Sequence, residues 1–464
     1  MHRCLLVNAP DEPNSPHVAA DPKMPLGLLY VAAYLRSKNV LVAISDYHSQ
    51  RFDPTELRSL VRHLRPTAVG VNVSTPNRNA AYAVAREVGA ERPRPLIVAG
   101  GPHATSMPDE VLGSCDAIDA VVAGEGEHAL FELLRSGSAL EGVVTRRQFD
   151  AGRKSTGQLT RRIVDLDSLP IPAYDLIPTE RYLAVSPELY IAASRGCHYD
   201  CAFCCSRTLL GRTVVYRSAA SVVHEMELLA DKYGVSRFYF YDDNILAWPH
   251  LDRLCAALRD GHRLEWNAQA RVNDLSLRSI PRLRAAGCNR LSFGFESGSQ
   301  RIQRYVGKVI AADAPRKVMA LTRAGIAVRG YFVIGFPDET VEDIAATARY
   351  MLALQSAGMS DVAIFPARPF PGTRLYHDTL RNLSKAEASR VLDFEYASDY
   401  LAEDHVDVRA RLHRYNTLPV VQVNGRFDPL RVRGMIAALY RVFFASALSS
   451  GVSDEELKAF LLAA

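Results

Sequence analysis

The chain has 464 residues, of which 48% are hydrophobic and 23% are charged, and its formal net charge at pH 7 is +4. This composition is ordinary for a soluble globular protein, and the length predicts two or three domains. The small net charge does not imply a polyanionic partner, so no nucleic acid is expected. No run of eighteen apolar residues predicts a membrane span.

The cysteines are unevenly distributed along the chain. Four of the eight lie within nine residues, from Cys197 to Cys205. A disulfide framework is not expected in a chain of this size, and clustered reduced cysteines indicate the cytoplasm. Residues 1–10 predict a strand and are broken too early by Pro10 to form a signal peptide.

Residues 1–150 alternate short apolar strands with amphipathic helices, a pattern that predicts an α/β domain with a doubly wound parallel sheet. Strands are expected at residues 4–8, 40–45, 68–73, 95–99 and 117–122. Helices are expected at residues 27–37, 54–64, 79–88, 108–112 and 127–135. Residues 143–149 predict a last strand, and the proline-broken segment 151–186 predicts a linker.

Two glycine-containing turns follow the fourth and fifth predicted strands. Ligands of such sheets bind beyond the carboxyl ends of the strands, and glycine lets the backbone approach a large flat ligand closely. No G-x-G-x-x-G follows the first strand, so a dinucleotide is not favoured. For the histidine of the first turn, a packing role is an equal alternative to ligand contact. The candidate ligand contacts are Gly100, Gly101, His103, Thr105, Gly124 and Glu125.

Residues 187–375 resume the alternation of strands and helices and predict six βα units. Strands are expected at residues 189–193, 237–241, 264–270, 290–294, 328–334 and 361–366. Helices are expected at residues 221–232, 250–259, 276–286, 311–324 and 341–357. Barrels of this kind place their active sites at the carboxyl ends of the strands.

A cysteine loop follows the first of these strands. Cys197, Cys201 and Cys204 have C-x₃-C-x₂-C spacing, and thiolates are the ligands of iron–sulfur clusters. Three ligands leave one iron open to a substrate. A zinc site would need a second Cys/His pair, which the sequence lacks. Cys205 could replace Cys204 as the third ligand, but the aromatic Phe203 favours Cys204.

With Phe203 before the third cysteine, this loop resembles the radical S-adenosylmethionine (SAM) superfamily. The resemblance implies a partial (β/α)6 barrel and a [4Fe-4S] cluster whose open iron chelates SAM. It also implies one-electron cleavage of SAM to methionine and a 5′-deoxyadenosyl radical. An external electron donor of the flavodoxin or ferredoxin type would supply the electron.

Five further segments at strand ends resemble motifs of the same superfamily and occur in its order. By resemblance, Asp242 would receive the SAM amine, and the fork of Arg271 would bind the SAM carboxylate. For Asp243 and Asn244 a structural role is the favoured alternative. The remaining expected SAM or substrate contacts at these strand ends are Gln269, Glu296, Ser297 and the backbone at Ile334.

The glycine turns of the first domain, with Met24-Pro-Leu-Gly-Leu-Leu-Tyr30, resemble the cobalamin-binding domain at the front of many radical SAM enzymes. The D-x-H-x-x-G motif of other cobalamin proteins is missing, since Asp46-Tyr-His48 supplies only its first half. A histidine ligand below the cobalt is therefore not expected. The alternative is a retained fold with an empty cleft.

Residues 376–464 predict a small helical region, with helices at 385–392, 430–447 and 454–462. The acidic and tyrosine-rich residues 393–400 predict either a solvated segment or one wall of a substrate pocket.

Two chemistries fit this organisation. In the first, cobalamin serves C-methylation at an unactivated carbon of a small metabolite, in natural-product (antibiotic) biosynthesis. In the second, the radical drives dehydration, deoxygenation or rearrangement of a sugar or aminoglycoside-like substrate, and the cobalamin-type domain is auxiliary or empty. RNA methylthiolation is disfavoured, since the first domain lacks the three cysteines of a second cluster. A non-catalytic iron–sulfur scaffold is disfavoured by the open iron.

Overall fold

The computed structural model describes residues 2–10, 23–137, 140–259, 264–381, 429–444 and 453–463. The chain divides into two compact units. Unit 1 comprises Met1–His198 and Ser206–Arg237, and unit 2 comprises Tyr199–Cys205 and Phe238–Ala464. Within the described ranges, no helix has the length and apolarity needed to cross a membrane.

A six-stranded sheet with the order β2-β1-β3-β4-β5-β6 forms the centre of unit 1. The first five strands are parallel, and β6 is antiparallel to β5. Its strands are β1 Arg3–Asn8, β2 Leu41–Asp46, β3 Ala68–Asn72, β4 Leu96–Gly100, β5 Ala120–Val122 and β6 Val143–Thr145. This order has the switch point of a doubly wound sheet between β1 and β3, so the predicted fold class is confirmed.

Helices cover both faces of this sheet, because successive residues of a strand point to opposite sides. Leu5 and Val7 of β1 belong to one buried cluster, and Cys4 and Leu6 belong to the other. The helices of unit 1 are α1 Leu26–Ser37, α2 Pro54–Leu64, α3 Arg78–Gly89, α4 Pro102–Ser106, α5 Pro108–Ser114, α6 Gly126–Ser136, α7 Arg146–Asp150, α8 Thr179–Val185, α9 Ser206–Leu210 and α10 Ala219–Tyr233. Three short strands complete the unit: β7 Leu189–Ile191, β8 Ser194–Arg195 and β9 Val215–Tyr216.

The predicted strand at residues 143–149 is only half correct. After β6 the chain turns into α7, because Thr145 and Gln148 form a capping box. The Thr145 hydroxyl accepts from the Gln148 N–H, and the Gln148 side chain accepts from the Thr145 N–H, which together start a helix. The short helix α8 lies in the segment predicted as a linker.

Unit 2 contains a sheet in which β14, β13, β12, β11 and β10 are neighbours in that order. Strands β11 to β14 pair in parallel. The strands are β10 Arg237–Phe240, β11 Glu265–Ala270, β12 Cys288–Glu296, β13 Ala327–Ile334 and β14 Asp361–Pro366. The helices are α11 Leu251–Arg259, α12 Ile280–Ala285, α13 Gln300–Val306, α14 Ala314–Arg323, α15 Val341–Ser356, α16 Arg374–Arg381, α17 Pro429–Phe444 and α18 Asp454–Leu462.

The helices of unit 2 differ from the prediction mainly in the start of α12 and in two helices, α13 and α16, that were not predicted. The helix predicted from residue 276 begins at Ile280, because Pro281 lacks a backbone N–H and is accepted only in the first turn. Helix α13 was not predicted, and its start is fixed by Ser299, whose side chain accepts from the Ile302 N–H. The predicted helix 385–392 and the acidic segment 393–400 lie outside the described residues.

Candidate cofactor sites

The second half of the cysteine loop is fixed to unit 2 by backbone pairing. The Ala202 N–H donates to the Val306 carbonyl at 2.9 Å, and the Ala202 carbonyl accepts from the Leu375 N–H at 2.8 Å. Phe203 packs on Phe336 with ring centroids 6.0 Å apart. Phe203 therefore anchors the loop in an apolar cluster, which explains the preference for an aromatic residue at this position.

The cysteines of the loop differ from the others in exposure. In the described part of the chain no cysteine forms a disulfide, and Cys204 is exposed while Cys197, Cys201 and Cys205 are partly exposed. Burial raises the pKa of the Cys255 thiol to about 11 and of the Cys4 thiol to about 12, which disfavours thiolates there. The predicted ligands are thus among the accessible cysteines, all four of which lie in the cysteine loop.

No group of three or more His, Cys, Asp or Glu side chains among the described residues converges as it would on a single metal ion. A four-iron cluster takes one thiolate on each iron, so its ligands need not converge on one point. The donor set of Cys197, Cys201 and Cys204 fits such a cluster in number and chemical type. That these three residues bind it stays a prediction.

Arg271, at the end of β11, contacts the cysteine loop. Its Nη1 lies 3.7 Å from the Cys201 Sγ, and its guanidinium lies 3.6 Å from the centroid of the Tyr199 ring. Its Nε is buried and has no hydrogen-bond partner among the described residues. A buried guanidinium with a free donor beside the cysteine loop fits an anionic group such as the SAM carboxylate.

Hydrogen bonds also tie Arg271 to its neighbours through the backbone. The Arg271 N–H donates to Asn244 Oδ1 at 3.0 Å, and Asn244 Nδ2 donates to Asp274 Oδ2 at 2.6 Å. The other oxygen of Asp274 accepts from the Tyr199 hydroxyl at 2.7 Å. Asn244 thus has the structural role that was favoured for it. Sequence reasoning missed Tyr199 and Asp274, although one lies inside the cysteine loop and the other three residues after Arg271.

The predicted contacts at the ends of β10 and β11 lie in polar surroundings. Asp242 is buried, and Gln269 Nε2 donates to the Tyr239 hydroxyl at 2.7 Å. Their contacts with SAM stay predictions.

Glu296 ends β12 in an unusual backbone conformation, with φ at 62°. Its Oε1 accepts from Lys308 Nζ at 2.7 Å, and both side chains are buried. Sequence reasoning missed Lys308, because its partner is twelve residues earlier and on another element. A left-handed φ at a non-glycine residue is costly, and such strain concentrates at functional sites.

Ser297 is fully buried and serves the neighbouring loop. Its hydroxyl lies 3.0 Å from the Thr347 hydroxyl and accepts from the Ser299 N–H at 3.1 Å. The predicted contact with ribose or substrate is not supported by these partners, since they surround the hydroxyl with protein.

The loop after β13 is shaped by Glu339. Its Oε2 accepts from the N–H groups of Gly335 and Phe336, directly after the buried Ile334. Its Oε1 is buried without a hydrogen-bond partner among the described residues, and burial raises the pKa of Glu339 to about 8. This carboxyl group therefore holds the backbone segment predicted to meet adenine.

In unit 1 the two predicted glycine turns come together. Thr105 Oγ1 accepts from the Gly124 N–H at 3.0 Å. A Cβ added to Gly101, whose φ is 100°, would lie 2.3 Å from Asn72 Oδ1, so only glycine fits. A Cβ added to Gly100 would meet no heavy atom of the described residues within 4 Å. The open space at Gly100 fits a large ligand at the carboxyl edge of the sheet.

His103 is buried and bonded at both ring nitrogens. Its Nδ1 lies 3.1 Å from Thr75 Oγ1, and its Nε2 lies 2.7 Å from Glu110 Oε2. Both ring nitrogens have protein partners, which favours the packing role, and the ligand contact of His103 stays a prediction.

The Glu125 carboxylate is likewise engaged by the protein. It lies 2.8 Å from a guanidinium nitrogen of both Arg162 and Arg195, and it accepts from the Ile163 N–H at 2.8 Å. Arg195 also pairs with Glu127 at 2.7 Å. The Glu125 side chain therefore forms internal ion pairs, and one of its partners, Arg195, lies two residues before Cys197. Its ligand contact stays a prediction.

The ends of β1, β2 and β3 carry a chain of polar side chains that the sequence reasoning missed. Asn8 Nδ2 donates to Asp46 Oδ1 at 2.8 Å, and Asn72 Nδ2 donates to Asn8 Oδ1 at 3.0 Å. Asp46 also accepts from the Tyr182 hydroxyl. The available signal was that each of the three lies within one residue of the end of a predicted strand. Both carboxylate oxygens of Asp46 accept hydrogen bonds from these side chains, which agrees with the absence of the complete cobalt-ligand motif.

Comparisons with known proteins match both halves of the chain. Residues 18–134 match the model of the B12 binding domain, and residues 191–351 match the model of the radical SAM superfamily. The chain is 32% identical over 388 residues to the uncharacterized methyltransferase PH0819 of Pyrococcus horikoshii, which covers 82% of this chain and 83% of that relative.

Two more distant similarities agree with this assignment. The chain is 25% identical to cytidylyl-2-hydroxyethylphosphonate methyltransferase of Streptomyces wedmorensis, over 77% of this chain and 78% of the relative. The structure of the radical SAM methyltransferase TsrM of Kitasatospora setae, determined with cobalamin and a [4Fe-4S] cluster, covers 100% of both chains at a TM-score of 0.69 and 18% identity. At that identity the likeness concerns the fold.

Proposed function

We propose that this chain, which belongs to the radical SAM superfamily and carries an N-terminal B12-binding domain, methylates an unactivated carbon of a small metabolite. When bound, the [4Fe-4S] cluster supplies the electron that cleaves SAM, and cobalamin carries the methyl group. The observation that carries the proposal is the joining of these two domains in one chain. The similarity to two methyltransferases supports it.

The proposed cluster ligands are Cys197, Cys201 and Cys204. The free Nε of Arg271 would bind the SAM carboxylate, because a buried donor without a partner gains most from an anionic acceptor. Asp242 would receive the SAM amine, as a buried carboxylate at the same edge of the sheet.

The remaining contacts of SAM would come from the next two strand ends. Glu296, held by Lys308, would accept from the ribose hydroxyls. The backbone around Ile334, shaped by Glu339, would meet adenine. Cobalamin would lie at the open edge beside Gly100.

The substrate of the proposed reaction is a small molecule of natural-product metabolism. The Streptomyces wedmorensis relative is named for a cytidylyl phosphonate, which supports a small-molecule substrate. An external low-potential electron donor would reduce the cluster. The proposed division of the chain is a cobalamin domain over residues 1–150, a linker over 151–186, a radical SAM barrel over 187–375 and a helical region over 376–464.

The by-products of turnover test the proposal. A cobalamin-dependent methylation consumes two SAM molecules, of which one yields S-adenosylhomocysteine and the other 5′-deoxyadenosine. Anaerobically reconstituted protein, given hydroxocobalamin, reductant, deuteromethyl-SAM and candidate metabolites, should form both by-products in comparable amounts together with a deuteromethylated product.

A matched variant separates SAM cleavage from background. Cys201→Ala removes a thiolate of the cysteine loop and should abolish deoxyadenosine formation. If the unaltered protein consumes its substrate and forms deoxyadenosine without S-adenosylhomocysteine in the presence of cobalamin, methylation is wrong. The radical dehydration or rearrangement of a sugar-like substrate then takes its place.

A further inference from the structure

The cysteine loop and the end of β11 are joined by a closed ring of contacts. It runs from the Tyr199 ring to the Arg271 guanidinium, through the Arg271 N–H to Asn244, and through Asp274 back to the Tyr199 hydroxyl. Every link belongs to unit 2. The ring fixes the arginine side chain more tightly than a single contact would, because the stacking and the backbone hydrogen bond act on opposite ends of it.

Held by this ring of contacts, one guanidinium nitrogen of Arg271 lies next to the sulfur of Cys201. Arg271 Nη1 lies 3.7 Å from Cys201 Sγ, within hydrogen-bond range for sulfur. Arg271 is therefore a cation that donates directly to this sulfur.

We propose that Arg271 sets the reduction potential of the cluster by donating a charge-assisted hydrogen bond to the sulfur of Cys201. One-electron reduction by an external low-potential donor adds one negative charge to the cluster. A fixed positive donor on a ligand sulfur stabilises that added charge and therefore raises the potential. The Nε of the same side chain stays available for the SAM carboxylate. This role concerns the cluster alone and does not depend on which substrate is methylated.

The experiment is a redox titration of the reconstituted cluster, followed by electron paramagnetic resonance without SAM, cobalamin or substrate. Arg271→Gln removes the charge and should lower the midpoint potential. At the midpoint of the unaltered protein, the ratio of reduced to oxidised cluster should fall about tenfold, which is a shift of about 59 mV for one electron. Arg271→Lys keeps the positive charge but loses the planar guanidinium, so its midpoint potential should lie between those of the unaltered protein and Arg271→Gln.

Arg329→Gln is the matched control. Arg329 lies near the start of β13, at the opposite end of the strands from the cysteine loop, and pairs with Asp361. Removing this charge should leave the potential unchanged, which separates a local donor from a general effect of net charge.

Variants of Tyr199 test the position of the Arg271 guanidinium without changing Arg271 itself. Tyr199→Leu removes the stacking surface and should lower the potential, whereas Tyr199→Phe keeps the ring and should lower it less. All values are compared at equal iron and sulfide content per chain. If Arg271→Gln binds no cluster, the midpoint potentials of Arg271→Lys and Tyr199→Leu test the proposal instead. Cluster-containing variants of Arg271 and Tyr199 with the potential of the unaltered protein would overturn the proposal.

Discussion

Adjacent cysteines in the cysteine loop have different surroundings. Cys204 is exposed, whereas Cys205 is partly buried. Reactive cysteines are solvent-accessible, so the exposed residue is the better candidate for the third ligand.

Cys204→Ala should therefore remove the iron from reconstituted protein, while Cys205→Ala should retain it. The two substitutions remove the same atoms from neighbouring positions, so each is the control for the other. Iron and sulfide analysis with the visible spectrum measures the outcome. A Cys205→Ala protein without iron would show that Cys205 is the third ligand.

The buried carboxyl group of Glu339 makes stability depend on pH. Its pKa is about 8 in the folded chain because burial disfavours the charged form, and it is near 4.5 when unfolded. Between these values the folded state holds the proton more tightly, so this contribution to stability is complete below the lower pKa and is lost as pH rises towards 8.

Glu339→Gln keeps an acceptor for Gly335 and Phe336 and cannot ionise. The melting temperature of the variant should therefore fall less than that of the unaltered protein between pH 5 and pH 8. Each unit of pKa shift corresponds to about 1.4 kcal/mol, so the difference is measurable. Parallel melting curves of the two proteins over this range would contradict the assignment.

At the scale of elements, the two glycines that end β4 and start α4 have different requirements. Gly101 has a left-handed φ and no space for a Cβ, whereas Gly100 faces open space. Gly101→Ala should lower the free energy of unfolding by about 2 kcal/mol or more, from strain and the clash with Asn72.

Gly100→Ala is the control for stability and a probe for the ligand. Its free energy of unfolding should match that of the unaltered protein. If cobalamin lies against this edge, the added methyl group should weaken binding of hydroxocobalamin in a spectroscopic titration. Unchanged cobalamin affinity would place the cofactor elsewhere.

Elements with a clear apolar pattern could be predicted from the sequence, because the pattern lies in neighbouring residues. Strand β14 Asp361–Pro366, with a short apolar run, and helix α2 Pro54–Leu64, with apolar residues at helical spacing, have the predicted bounds. The short helices α4 and α13 were missed, since one or two turns leave little periodicity.

In the candidate site, too, local motifs could be predicted and contacts between distant residues could not. The cysteine spacing is local and could be recognised, whereas the pairs Lys308–Glu296 and Arg162–Glu125 join residues on different elements. Only the folded chain brings such partners together, so the burial of Glu125 and the engagement of His103 were not visible in the sequence.

At the scale of the whole molecule, a cluster of buried charges joins two segments that match different families. Arg195 lies in the segment matched to the radical SAM superfamily, and Glu125 and Glu127 lie in the segment matched to the B12 binding domain. The guanidinium also lies 4.7 Å from the centroid of the Tyr30 ring.

Arg195→Ala should lower the free energy of unfolding by about 3–5 kcal/mol, because it leaves the buried Glu127 without this cation and Glu125 with only Arg162. Arg36→Ala is the control, since its pair with Asp175 is exposed and worth about 1 kcal/mol or less. Denaturant unfolding of both variants measures the difference. An Arg195→Ala protein as stable as Arg36→Ala would show that the buried pairs contribute nothing.

The position of Arg195 has a consequence for building chimaeras. Its partners are in the first 150 residues, while Cys197 follows two residues later in the same chain. Consider a chimaera that joins the front domain of a relative to the second half of this chain. Its front domain must supply acidic partners for Arg195. Without them, the arginine two residues before Cys197 has no carboxylate partner. Exchange of front domains among such enzymes should therefore succeed only when acidic residues equivalent to Glu125 and Glu127 travel with the transplanted domain.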